Sequence, residues 1–191
     1  MKNQKSLSRS IVWVTLITLL ILSIPLVAMQ FTDEVKWRLP DFIIMGLLIF
    51  STGLSYVLLT RSTSTIISRV AFAIAIGATF LLIWVNLAVG LIGSGPNAAN
   101  LMYAGIVAIV IIGTFISRFT TKGMERVMFT AAIALVLFAI IQLLAKMNQY
   151  PGTSVTEILA VNVFFATLFA ISGLLFRYIT SKQSSNAKIS L

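Results

Sequence analysis

The chain contains no cysteine and no histidine. The first absence excludes disulfides, thiolate metal sites and cysteine nucleophiles. The second excludes imidazole haem ligation, histidine-based catalysis and the usual side chain that titrates near neutral pH. Charge is scarce as well. Asp, Glu, Lys and Arg make up 10% of the 191 residues, against about 25% in soluble domains, and no charge occurs between Arg69 and Arg118. Short segments of strict polar–apolar alternation, the mark of a transmembrane β-barrel, are missing too.

What remains is apolar. Hydrophobic residues make up 59% of the chain, and uncharged runs of about 20 residues recur, each long enough to cross roughly 30 Å of hydrocarbon. The expected fold class is all-α: a polytopic membrane protein of six transmembrane helices arranged as three helical hairpins. The expected spans are 11–29, 42–60, 70–92, 101–117, 127–145 and 158–176. They are flanked by a polar arm over 1–10 and a polar tail over 179–191. The arm resembles a signal-peptide n-region, but the apolar run behind it is too long for a signal and no small-x-small cleavage site follows, so the first span is expected to be retained.

The net charge of +9 is explained by where the bases fall. With the N-terminus in the cytoplasm, Lys2, Lys5, Arg9, Arg61, Arg69, Arg118, Lys122, Arg126, Arg177, Lys182 and Lys188 lie inside. Only Lys36, Arg38 and Lys146 lie outside. Eleven of fourteen bases on one side is what the positive-inside rule expects, and it places both termini in the cytoplasm. The excess charge is a topology signal rather than a nucleic-acid footprint, and the inner rim is suited to anionic lipid.

The linkers carry the candidate chemistry. The segment 30–40 holds Asp33, Glu34, Lys36, Trp37 and Arg38. It reads either as a short interfacial helix capped by Thr32 and stopped by Pro40 or as an extended link, because Val35, Trp37 and Leu39 alternate with charges. Asp41 is expected to cap the second span. Asp33, Glu34 and Asp41 are the candidate ligands of a metal, since hard cations want several oxygens. The competing reading is a solvated loop paired with Lys36 and Arg38. The glycine-rich tip GSGPNAAN, residues 93–100, is either an anion-holding loop at a helix start or a tight turn capped by Asn97.

Within the spans no ionisable side chain lies deep, which argues against proton relays and voltage sensing. Asn86, Gln142 and Asn162 are the buried amides, with Ser51, Thr52, Ser55, Thr79 and Thr167 among the hydroxyls. Such groups serve either a solute or an interhelical hydrogen bond. Small residues at four-residue spacing (Ala71, Ala75 and Thr79; Ala104 and Ala108; Ala166 and Ala170) allow close helix approach and a homo-oligomer. Trp13, Tyr56, Phe119 and Tyr178 on one side, and Trp37, Tyr103 and Tyr150 on the other, read as interfacial belts.

The hairpins also read as an internal repeat of period near 57–60 residues. Asp41, Asn100 and Glu157 open the even-numbered spans; Arg61, Arg118 and Arg177 close them. Either the hairpin is triplicated, or caps and terminal arginines recur as in any six-span protein.

Two stretches, PLVAMQFTDEVKW (25–37) followed by DFIIMG, and VNLAVGLIGSGPNAANLMY (85–103), resemble an uncharacterised family of small bacterial multi-pass inner-membrane proteins. The resemblance covers about a fifth of the chain. It implies a bacterial inner membrane and carries no activity with it.

The expectation is therefore a small transporter or channel-like protein, with a solute or ion site on the outer face built from Gln30, Asp33, Glu34, Asp41, Asn86, Asn97 and Asn100. The alternative is a scaffold that docks a partner through its outer loops. No nucleophile is paired with a base, so no enzyme activity and no cofactor is expected. The expected partners are the bilayer, a small solute or cation, and a second copy of the chain, with no nucleic acid.

Overall fold

The computed structural model describes residues 2–61, 63, 65–93 and 97–189, with side-chain surroundings from 7 to 185. The chain is all-α: α1 (Lys2–Phe31), α2 (Leu39–Arg61), α3 (Ile66–Ala88), α4 (Leu101–Ile116), α5 (Thr121–Leu144) and α6 (Val155–Ile189), with two short 3-10 turns at Ala98–Asn100 and Met147–Gln149. All six helices are long and apolar enough to cross a bilayer. The chain falls into two compact units, Met1–Ser62 and Thr63–Leu191.

The first unit is the α1–α2 hairpin. Its helices meet where α2 lacks side chains: a Cβ on Gly53 would lie 2.9 Å from Val14 Cγ1, and one on Gly46 would lie 3.2 Å from Leu22 Cδ1. The two glycines are seven residues apart and so share one face of α2. Large apolar side chains such as Leu20, Ile24 and Leu47 stay exposed, as suits helices whose solvent is lipid.

The second unit is a four-helix bundle with a packed core. Its buried positions run as stripes at three- and four-residue spacing: Ala71, Ala75, Ala78 and Leu82 on α3; Tyr103, Ile106 and Val110 on α4; Met124, Met128, Ala131 and Leu135 on α5; Ile158, Phe165, Phe169 and Phe176 on α6. Phe72 and Phe176 meet edge to face with centroids 5.0 Å apart. Ser172 donates from Oγ to the Ala71 carbonyl, 2.9 Å across α6 and α3. Of the consecutive pairs in this unit, α5 and α6 form the most extensive interface, whereas α3 and α4 meet far less. The α3–α6 and α4–α5 interfaces are both more extensive than α3–α4, because the alanine stripe of α3 admits the aromatic face of α6.

Several boundaries differ from the expectation. Residues 32–38 form no helix, in keeping with the extended-link reading. Pro40 does not stop a helix but sits at the second position of α2, where a missing N–H costs nothing. α3 ends four residues early, ahead of Gly90 at φ +74°. The basic turn is shorter than expected, because Thr120 accepts from Gly123 N and starts α5 at Thr121. The polar tail continues α6 to Ile189, since neither Gly nor Pro follows Gly173 to break it. The arm from Lys2 likewise belongs to α1, which passes through Pro25.

Candidate functional site

In the first unit, Gln30, Asp33, Glu34 and Asp41 are all exposed. Thr32 Oγ1 accepts from Glu34 N at 2.9 Å, turning the chain just after α1. Asp41 accepts the Arg38 N–H at 2.7 Å, an acid at the third helical position reaching back to the capping residue. Asp41 therefore closes the start of α2 from inside the helix rather than preceding it. Among the described residues, no group of three or more acids comes together to hold a metal ion. Asp33, Glu34 and Asp41 are thus not gathered. Asp33 and Glu34 are neighbours in the bend that follows α1, and Asp41 is turned onto the start of its own helix. The same capping geometry recurs at α6, where Glu157 accepts from Ser154 N at 2.7 Å and Ser154 Oγ accepts from Glu157 N at 3.1 Å.

In the second unit, Asn86, Asn97 and Asn100 lie together around the residues that join α3 to α4. Asn100 Oδ1 accepts two N–H groups, from Leu91 and Ile92, each at 2.8 Å, and its Nδ2 donates to Ile92 O at 3.1 Å. Asn86 Nδ2 donates to the Asn100 carbonyl at 3.1 Å. Asn97 accepts from Ala99 N at 3.0 Å and caps the 3-10 turn. Gly93 N donates to Thr153 Oγ1 at 2.6 Å, tying this loop to the one that joins α5 to α6. Gly93 itself is at φ +74°, where a Cβ would lie 2.9 Å from Asn97 Nδ2. Asn100 thus differs from Asp41 and Glu157: it braces the preceding loop instead of capping its own helix. Ser94, Gly95 and Pro96 of the tip lie outside the described residues.

Just below this loop, three polar side chains meet inside the bundle. Tyr103 is the third residue of α4, Gln142 is in the last turn of α5, and Asn162 is two turns into α6; each is at most 1% exposed. Tyr103 is therefore not part of an interfacial belt. Its hydroxyl accepts from Gln142 Nε2 and Asn162 Nδ2, both at 3.2 Å. Asn162 Nδ2 also faces Gln142 Oε1 at 2.9 Å and Ile158 O at 2.8 Å. Those two acceptors orient the amide, leaving Asn162 Oδ1 buried with no donor among the described residues. Asn86 Oδ1 is in the same condition. An unpaired buried carbonyl is costly, roughly 1–3 kcal/mol, and most buried polar groups avoid it.

The span hydroxyls do otherwise. Thr52, Thr79 and Thr167 turn onto carbonyls four residues back on their own helices, at 2.7–2.8 Å, and Ser51 onto the one three back, at 3.1 Å. They are satisfied locally, as apolar surroundings require. The cluster contains no charge, so it suits an uncharged hydrogen-bonding molecule or a weakly held monovalent ion better than a divalent cation. Gln142 and Asn162 were legible as buried amides; the part played by Tyr103 had no such signal, because a tyrosine near a helix end looks like a belt residue.

Fold and site together define the class: a multi-pass α-helical membrane protein with an uncharged polar cluster inside a four-helix bundle. Comparison with protein-family models, curated proteins and solved structures gave no significant match.

Proposed function

We propose that the protein is a small transporter or channel-like protein of a bacterial inner membrane, passing a small polar solute or ion at the end of the four-helix bundle that carries Asn86, Asn97 and Asn100. The observation that carries this reading is the pair of buried amide oxygens, Asn86 Oδ1 and Asn162 Oδ1, that no donor among the described residues reaches. An intramembrane amide needed only for packing would be expected to complete its hydrogen bonds. The reading is non-enzymatic and needs no cofactor. The distribution of bases supports an outward-facing site with both termini in the cytoplasm.

The test is flux through proteoliposomes of the full chain, with small hydroxyl and amide solutes and monovalent salts compared against protein-free vesicles. Flux of one solute class above background, reduced about tenfold or more in Asn162→Leu, is the expected result. Background flux for every solute would sink transport.

A second reading is favoured by a different observation. Asn97, Asn100 and Thr153 are engaged in holding the loops at that end, which makes a braced surface suited to docking a protein partner. A chain inactive in every flux assay that still copurifies with one partner, lost on Asn100→Ala, would favour the scaffold.

A further inference from the structure

The opposite end of the same bundle carries six exposed bases: Arg69, Arg118, Lys122, Arg126, Arg177 and Lys182. The registers of the helix pairs show how they stand. Gly113 of α4 faces Val127 of α5, which brings Arg118 level with Lys122. Thr121 Oγ1 meets Gln183 Oε1 at 3.2 Å, which brings Lys122 level with Lys182. Gly173 faces Met128 and Phe129, so Arg126 is level with Arg177. Ser172 bonded to Ala71, and Phe72 packed on Phe176, place Arg69 at that level too.

The bases thus form two tiers, four residues apart along α5. At about 1.5 Å rise per residue the tiers are about 6 Å apart. The headgroup layer on each side of a bilayer is about 5–7 Å thick. Glu125 is the one acid at these levels. Phe119 and Tyr178, 42% and 52% exposed, neighbour Arg118 and Arg177 in sequence, and aromatic rings favour that depth. The turn that carries Arg118 and Phe119 holds both in the left-handed region, φ 50° and 58°. That conformation is unfavourable for residues with a side chain, and here it reverses the chain within four residues, keeping the bases of α4 and α5 adjacent.

We propose that this two-tier belt is a binding site for anionic phospholipid headgroups, holding phosphatidylglycerol-like lipid in preference to zwitterionic lipid. It is independent of the transport reading, since it uses the other end of the bundle. Each base near an anionic surface contributes an affinity factor of about fivefold.

The experiment is native mass spectrometry of the full chain in nonionic detergent, titrated with phosphatidylglycerol and with phosphatidylcholine of the same acyl chains. The expected result is retention of phosphatidylglycerol adducts over phosphatidylcholine, with the preference reduced at least tenfold in the double variant Arg126→Gln/Arg177→Gln and largely kept in Arg126→Lys/Arg177→Lys. Should the Gln variant fail to fold, the natural chain supplies the second measurement: raising salt from about 0.05 M to about 1 M, where the Debye length falls to about 3 Å, should abolish the preference. Equal retention of both lipids, a preference indifferent to salt, or thermal stabilisation by inorganic phosphate equal to that by phosphatidylglycerol would overturn the proposal.

Discussion

Asn100 does more structural work than any other polar side chain near the α3–α4 junction. One oxygen receives the adjacent backbone N–H groups of Leu91 and Ile92, and the amide nitrogen returns a bond to the Ile92 carbonyl. Ile92, whose N–H is one of the two, is fully buried, so water cannot replace the lost partner. Asn100→Ala should lower stability by about 1–3 kcal/mol, read as a fall in the midpoint of a thermal melt in detergent. Hydrogen exchange at the Leu91 and Ile92 amides should accelerate in the same variant. Asn100→Asp keeps the acceptor and should lose less. Exchange rates unchanged in the alanine variant would show that the loop is held by other contacts. At this same scale Gln142 and Asn162 were legible as buried amides, whereas their pairing with each other and the unpaired oxygens were not. Which atom of an amide lacks a partner depends on neighbours from three helices at once.

Helix contacts in both units rely on glycine where a neighbouring β-branched residue comes close. Gly53 against Val14 and Gly113 against Val127 both leave 2.9 Å for an added Cβ. Valine is stiff at χ1, so it cannot swing aside cheaply. Gly53→Ala should destabilise the α1–α2 hairpin by about 1–3 kcal/mol through overpacking, and Val14→Ala should restore much of that loss in the double variant. Thermal melts of the two single variants and the double variant check this; a double variant no better than Gly53→Ala alone would show that the glycine is needed for backbone freedom rather than for space. The helices themselves were readable from hydropathy, but their ends were less so. Thr120, Ser154 and Asp41 set starts through side-chain hydrogen bonds that hydropathy does not register, and a polar tail with no breaker simply stayed helical.

For the whole molecule, the placement of the bases predicts its direction in the membrane. The complete lack of cysteine makes the test clean, because any thiol introduced is the only one present. The positive-inside rule expects the bases of the α4–α5 turn in the cytoplasm; on that orientation Lys36→Cys and Lys146→Cys should label with a membrane-impermeant maleimide in intact cells. Lys122→Cys and Lys182→Cys should label only after the membrane is opened. The reverse pattern would invert the topology and turn the proposed solute site inward, while leaving the lipid-binding belt at a membrane surface.

Hydropathy and length were enough for the class and the number of helices. Length, hydropathy and the placement of charge act as sums along the chain, and a bilayer selects on those sums whatever the helices pack against. The expected metal cluster of Asp33, Glu34 and Asp41 needed more than sequence proximity; Asp41 is committed to capping α2, and no group of three acids gathers among the described residues. Only the tertiary structure decided that α3 packs chiefly on α6, that Tyr103 is a core residue, and that Asn86 and Asn162 each keep an unpaired oxygen. Those outcomes depend on helix register and rotation, and helices in lipid choose these by packing shape and hydrogen bonding, which are properties of pairs of surfaces and not of either strand of sequence alone.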